Sequence, residues 1–251
     1  EAIIRRNADD LAAIIVEPMQ GAPGVLPADK EYLQTLRALS SELGIVLIFD
    51  EVQTFRHSYG GAQEIFGVTP DMTAFGKIIG GGFPVAAFGG RADIMDVFSP
   101  QRPNYFSHGG SFNGNPIGMV AGIASLEMLT REEIARINGL AEALRRGWVS
   151  ALAEVGVKGQ VTGFGSQSNL HITTAPAIRT PRDVATLDNK MVMSAVSLAM
   201  LTKGFVWIPR GMVNMSTPMT MAEVDACVKA VREVLSELKP WMADVAPELI
   251  V

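Results

Sequence analysis

Cysteine, histidine and positive charge are all scarce in this 251-residue chain. A single cysteine, Cys227, excludes an intrachain disulfide framework and any multi-cysteine metal site. Three well-separated histidines, His57, His108 and His171, argue against a histidine-rich metal centre, so no metal is expected. Lys and Arg total 21 against 26 Asp and Glu, a net charge of −5, which argues against a nucleic-acid partner. No apolar run reaches the roughly 20 residues that a membrane-spanning helix needs. No signal-peptide pattern opens the chain, so a reducing, cytoplasmic setting without membrane association is expected. What is abundant is apolar: 48% of residues, against 19% charged, the balance of a folded chain with a large core. The length fits one large domain or a domain with a smaller lobe. The chain opens on Glu1 and enters a buried-strand pattern by Leu11, as though it began within a longer sequence.

The first half alternates strand-like and helix-like segments. Leu11 to Val16 (LAAIIV) is almost wholly apolar and reads as a strand buried on both faces, ending at Glu17-Pro18. Tyr32, Leu33, Leu36, Leu39 and Leu43 recur at helical spacing, with Asp29 as N-cap and Gly44 as stop. Ile45 to Phe49 is a second buried strand, ending in Asp50-Glu51; Met72–Phe75 is a weaker third and Val85–Phe88 a fourth. Strands separated by helices or long crossovers predict an α/β layer with a mostly parallel sheet. Asn115 followed by Pro116 opens a helix to about Leu129, and Thr130 with Glu133 opens another. Beyond Gly156 short strands around Val161 and Leu170–Thr173 alternate with a helix near 186–202, a strand at Phe205–Ile208 and a last helix capped by Thr220 and Glu223. This predicts a large domain over 1–150 and a smaller α+β domain over 151–251.

In open α/β sheets ligands sit beyond the carboxyl ends of the strands. Glu17, Asp50 and Lys77 fall there, after the first, second and third strands. A carboxylate and a lysine at adjacent strand ends suit an acid/base pair or an ion-paired cofactor site; a cap and a solvated lysine are the plainer alternatives. Apolar neighbours in FGKIIGGGFP favour a nucleophilic amine, and the glycines let backbone approach a ligand. His57 and His108 flank these loops and read as hydrogen-bonding loop residues. His171 alternates with apolar neighbours in a strand and reads as structural, and Cys227 as a small buried hydrophobe.

The stretch IVLIFDEVQT…YGGAQEIFGVTPDMTAFGKIIGGGFPVAAFGGR (45–91) resembles the core of the class III pyridoxal-phosphate-dependent aminotransferases. So do EPMQGAPGVLP (17–27), SHGGSFNGNPIGMVAG (107–122) and PRGMVNMSTPMT (209–220). Within that family the chain is most similar to members acting on β-amino acids and to glutamate-1-semialdehyde aminomutase. The resemblance implies a fold-type-I transferase with pyridoxal 5'-phosphate bound to Lys77 as a Schiff base. It implies that Asp50 pairs with the pyridine nitrogen, Val52 packs on the ring and Gln53 lies near the phenolic oxygen. Ser111 matches a residue donating to the cofactor phosphate from the other subunit of a homodimer. Arg210 matches an arginine that grips a substrate carboxylate, for which a guanidinium fork is suited; a surface loop arginine is the alternative. Glu17 stands as a strand-end carboxylate beside the site, orienting a partner or capping.

The implied reaction moves an amino group between an amino donor (an amino acid or amine) and an oxo-acid acceptor. An aminomutase, moving the group within one substrate, is the alternative. Family members carry an N-terminal portion with a Ser-Gly/Ala-Thr phosphate loop and a stacking aromatic, and no candidate for either precedes Glu17. The alternatives this implies are a fragment of a longer coding sequence and an inactive structural half completed by another chain.

Overall fold

The computed structural model describes residues 1–251. Internal contacts divide the chain into two units, Glu1–Met19 with Ala28–Arg131, and Gln20–Pro27 with Glu132–Val251. Residue 150, where the sequence suggests a division, lies within a helix of the second unit.

In chain order, helix α1 (Ala2–Arg6) precedes strand β1 (Ala13–Val16) and a two-strand hairpin, β2 (Met19–Gln20) with β3 (Leu26–Pro27). Then come α2 (Lys30–Leu43), β4 (Val46–Asp50), α3 (Gly61–Phe66), β5 (Met72–Phe75), β6 (Ala87–Gly90), α4 (Ala92–Met95) and α5 (Pro116–Met128). The first unit's sheet has the order β1-β4-β5-β6. Strands β1, β4 and β5 are parallel, and β6 returns antiparallel beside β5. This is the mostly parallel α/β layer that the sequence predicts.

Strand β1 differs from the reading of its sequence. It is an edge strand with alternating exposure, and Ile15 is 64% exposed. An apolar run alone does not distinguish an edge position from a central one. Strand β4 is central, and its Leu47 and Phe49 are fully buried. Helix α2 shows Leu33, Leu36 and Leu39 to the core at the predicted spacing and stops at Gly44, in the left-handed region with φ +69°. The fourth strand lies two residues beyond the predicted Val85–Phe88.

Two buried carboxylates hold this layer together. Asp71 accepts the Leu47 amide at 2.8 Å and pairs with Arg37 and Arg91, each at 3.0 Å. Burial pushes the Asp71 carboxyl up, but these hydrogen bonds and the charge of Arg37 outweigh it and leave it below its ordinary value. Glu51 is the second.

The second unit continues with α6 (Arg131–Val155), β7 (Gly159–Phe164), β8 (Gln167–Ile172), α7 (Pro181–Leu187), α8 (Lys190–Thr202), β9 (Met212–Asn214) and α9 (Met221–Val245). Strands β7, β8 and β9 form an antiparallel sheet. Phe205–Ile208, read as a strand, has no regular structure and lies between two turns; the third strand is Met212–Asn214. There Trp207 turns inward and stacks on the buried Trp148 at 5.1 Å, so packing of one large ring sets the local path. The helix near 186–202 is two helices, broken at Asp188-Asn189, with Asn189 capping the second through the Val192 amide. Helices α6 and α9 meet closely: a Cβ on Gly147 would stand 2.3 Å from Val228 Cγ2. Thr220 and Glu223 form the predicted capping box of α9.

Candidate active site

Register sets the site. Val16 pairs with Phe49 and Asp50 with Ala74, so Glu17 and Asp50 stand at the carboxyl ends of neighbouring parallel strands. Lys77 follows three residues after Ala74 on the next strand. Three sequence-predicted residues therefore share one edge of one sheet in the first unit.

Asp50 is half-buried, and its Oδ1 accepts the Val52 amide at 3.0 Å. That leaves Oδ2 for a proton held on a ligand nitrogen. Lys77 opens a 3₁₀ turn, Lys77–Gly80, with its side chain exposed. Its backbone is unusual. The φ of +50° puts a non-glycine residue in the left-handed region, a conformation costing of order 1–3 kcal/mol that the surroundings must enforce.

What enforces it is close packing. A Cβ on Gly122 of α5 would lie 2.3 Å from the Ile79 carbonyl oxygen, and one on Gly81 2.2 Å from that of Ala121. The Ser125 hydroxyl donates to the Ile78 carbonyl at 3.4 Å. Helix α5 and the lysine turn thus touch backbone to backbone. On the other side, Gly76 leaves room for Val52.

Glu51 was not singled out by its sequence, yet it organises the loop that carries Val52 and Gln53. It is fully buried. Oε2 accepts the Thr54 hydroxyl at 3.0 Å and the Ala62 amide at 2.6 Å; Oε1 accepts the Gln63 amide at 3.1 Å and the Gln63 side-chain amide at 3.2 Å. Ala62 and Gln63 lie in the first turn of α3, where amides lack helical partners and a negative charge is favoured. Nothing in a sequence window reveals a carboxylate capping a helix eleven residues downstream. Gln53 is half-buried, next to the short 3₁₀ turn Thr54–His57.

Ser111 lies exposed in the turn that leads to α5, whose cap is the predicted one: Asn115 Oδ1 accepts the Gly118 amide at 2.7 Å and Pro116 is the first helical residue. A cavity of about 770 Å³ adjoins this turn, lined by Phe88, Phe98, His108, Phe112 and Asn113 among others. His108 packs edge-on against Phe88 at 5.2 Å and Phe98 at 5.7 Å, an aromatic role. Arg210 belongs to the second unit, exposed in the turn closed by the Gly211 amide on the Ile208 carbonyl.

A strand-end aspartate and a lysine on a strained, glycine-braced turn thus share one edge of the sheet. The sequence matches the family Aminotransferase class-III over residues 1–235, and the chain belongs to that family. It is 38% identical over 231 residues to the beta-phenylalanine transaminase of Variovorax paradoxus, covering 92% of this chain and 52% of that one. It is 41% identical over 210 residues to the glutamate-1-semialdehyde 2,1-aminomutase of Sorangium cellulosum, covering 83% and 47%. The crystal structure of an omega-transaminase from Sphaerobacter thermophilus superposes with a TM-score of 0.90 at 42% identity, over 95% of this chain and 55% of that one. The chain thus spans about half the length of the relatives it matches.

Proposed function

We propose that the complete protein transfers an amino group between an amino acid or amine and an oxo acid, using pyridoxal 5'-phosphate. The observation that carries this reading is the placement of Asp50 and Lys77 at the ends of adjacent parallel strands, with Lys77 held at φ +50°. The residues present fit the cofactor: a half-buried carboxylate with one oxygen to spare, and a primary amine on a turn that glycines let pack tightly.

When bound, the cofactor supplies a ring that accepts the electrons left when a proton leaves the substrate carbon. Asp50 keeps a proton on the pyridine nitrogen, because a neighbouring carboxylate favours the charged form. Lys77 holds the cofactor through Nζ and, once released, carries the proton with the same amine. Val52 supports one face of the ring and Gln53 donates toward its phenolic oxygen. Ser111 donates to the phosphate from the neighbouring subunit, which makes the protein a homodimer. Arg210 grips the substrate carboxylate with its planar fork, and Glu17 orients a polar group at the same strand edge as Asp50. The single cysteine suits a cytoplasmic location.

Amino exchange requires two substrates in turn. Steady-state kinetics of the complete protein should give parallel double-reciprocal lines and no turnover without an oxo acid. Turnover of a single amino substrate without an acceptor would instead support an aminomutase, the reading favoured by the 41% identity to such an enzyme. Titrating the 251-residue chain alone with the cofactor tests whether it is a competent unit or a half that needs completing.

A further inference from the structure

The sheet fixes only part of the spacing between Asp50 and Lys77. Register sets Asp50 beside Ala74, but Lys77 stands beyond β5 on a turn of its own. Side-chain contacts on both faces of β5 supply the rest.

Successive residues of a strand point to opposite faces, so Thr73 and Phe75 share one face of β5. On that face Phe55 meets Phe75 edge-on, with ring centroids 5.1 Å apart. There too the Gln63 side chain reaches the strand, its Nε2 donating to Thr73 Oγ1 at 3.4 Å. Gly76 faces the other way, toward Val52. The chain that follows Asp50 therefore grips the end of β5 from both sides, just before Lys77.

Gln63 bridges the two segments that present Asp50 and Lys77. Its Nε2 carries two protons. One goes to Glu51 Oε1 at 3.2 Å and the other to Thr73. Both Glu51 oxygens also accept backbone amides, Ala62 at Oε2 and Gln63 at Oε1, so the carboxylate meets the donor end of the Gln63 side chain. Glu51 is the residue after Asp50, and Thr73 lies four before Lys77. The carboxylate has no room to drift: Gly61 has φ +74°, and a Cβ there would stand 2.7 Å from both Glu51 oxygens. Glu51 and Thr73 are both buried, where a lost hydrogen bond is poorly replaced by water.

We propose that Gln63 is a positioning residue: its amide ties Glu51 to Thr73 and so sets the distance between the Asp50 carboxylate and the Lys77 amine. This rests on the cofactor reading given above and deepens it. Gln63 acts through those two groups and not on the reacting atoms. Its own α3 amides keep Glu51 capped, so losing the side chain frees the Asp50 segment from the lysine strand without removing the cap. A flat aromatic ring cannot stretch. It is held at its nitrogen by Asp50 and at a substituent carbon by Lys77, so any change in their spacing weakens one contact or the other.

A double-mutant cycle in the complete protein tests it, with Gln63→Leu, Asp50→Ala and the two together. The readout is the dissociation constant for pyridoxal 5'-phosphate from an absorbance titration. Gln63→Leu should weaken binding about threefold to tenfold. With Asp50→Ala the ring has no second contact to mismatch, so the same change should then cost less than about twofold. Thr73→Val should repeat the loss, and Thr73→Ser, which keeps the hydroxyl, should restore affinity. Run in the same two backgrounds, the Thr73 pair decides the matter if Gln63→Leu fails to fold. Equal losses with and without Asp50 assign Gln63 a merely structural part and overturn the proposal, as does unaltered affinity in Gln63→Leu and Thr73→Val. Borohydride trapping of the unaltered protein separates this from the function itself. Cofactor on Lys77 upholds that function whatever Gln63 does, and no adduct on Lys77 overturns both.

Discussion

Val52 occupies the space that a side chain on Gly76 would need: a Cβ there would lie 3.2 Å from Val52 Cγ1. Gly76 itself is extended, with φ −171°, a conformation any residue adopts. The need for glycine is therefore the contact and not the backbone. This contact joins the loop after Asp50 to the turn that presents Lys77. Gly76→Ala should displace one of them by a few tenths of an ångström and weaken cofactor binding by about tenfold, near 1.4 kcal/mol. A fluorescence or absorbance titration of the cofactor measures it, and Gly76→Ala with Val52→Ala together should restore part of the loss.

Gly122→Ala tests the opposite wall of the lysine turn. Its Cβ would stand 2.3 Å from the Ile79 carbonyl oxygen, a backbone atom that no rotamer change can move. Destabilisation of about 1–3 kcal/mol is expected, read as a lower denaturant midpoint. Gly139→Ala, at a position of α6 where a Cβ meets nothing within 4 Å, should leave stability unchanged or slightly raised.

Glu51→Ala leaves the Thr54 hydroxyl and the Ala62 and Gln63 amides without their acceptor in a buried place. Unsatisfied buried donors and the loss of a charge-assisted cap together should cost about 3 kcal/mol or more. Thermal melts of Glu51→Ala and Glu51→Gln, with Glu51→Gln losing less, check this.

Acid should loosen the sheet through Asp71. Its folded carboxyl titrates below its ordinary value of 3.8, so its contribution to stability is present above that value. It is lost as the pH falls below 3.8 and through the depressed folded value. Asp71→Asn should lower stability at neutral pH and shrink the acid-induced loss in the same window; equal acid sensitivity in both proteins would assign that loss to other carboxylates. Cys227 behaves differently: burial pushes its thiol up to about 11. At neutral pH it stays protonated, and alkylation should be slow in the folded protein and fast in denaturant.

The mostly parallel sheet, the strand ends and several helix starts were legible because each rests on local pattern. Met72–Phe75, the Asn115-Pro116 helix start and the Thr220–Glu223 box are all short-range signals. Asp50 and Lys77 were legible as strand-end residues in a distinctive context. What was not legible depends on contacts between distant segments. Ile15 is exposed because burial of a strand residue depends on what distant segments lay over its face of the sheet. Phe205–Ile208 is not a strand because Trp207 packs on Trp148. Glu51 caps a helix eleven residues away, and the φ of Lys77 is enforced by close packing at Gly81 of its own turn and Gly122 of α5. His171 did read as structural, but its partners Thr162 and Asp188 lie on other elements.

The central claim is that Lys77 is the amine that carries the cofactor. Borohydride reduction of the complete protein loaded with pyridoxal phosphate, followed by peptide mass spectrometry, tests it most directly. A single cofactor-modified peptide containing Lys77 is expected. Lys77→Ala should lose the modification and the visible absorbance, and Asp50→Asn should retain trapping even as turnover falls about 10²–10⁴-fold. A cofactor trapped on another lysine, or visible absorbance undiminished in Lys77→Ala, would contradict it.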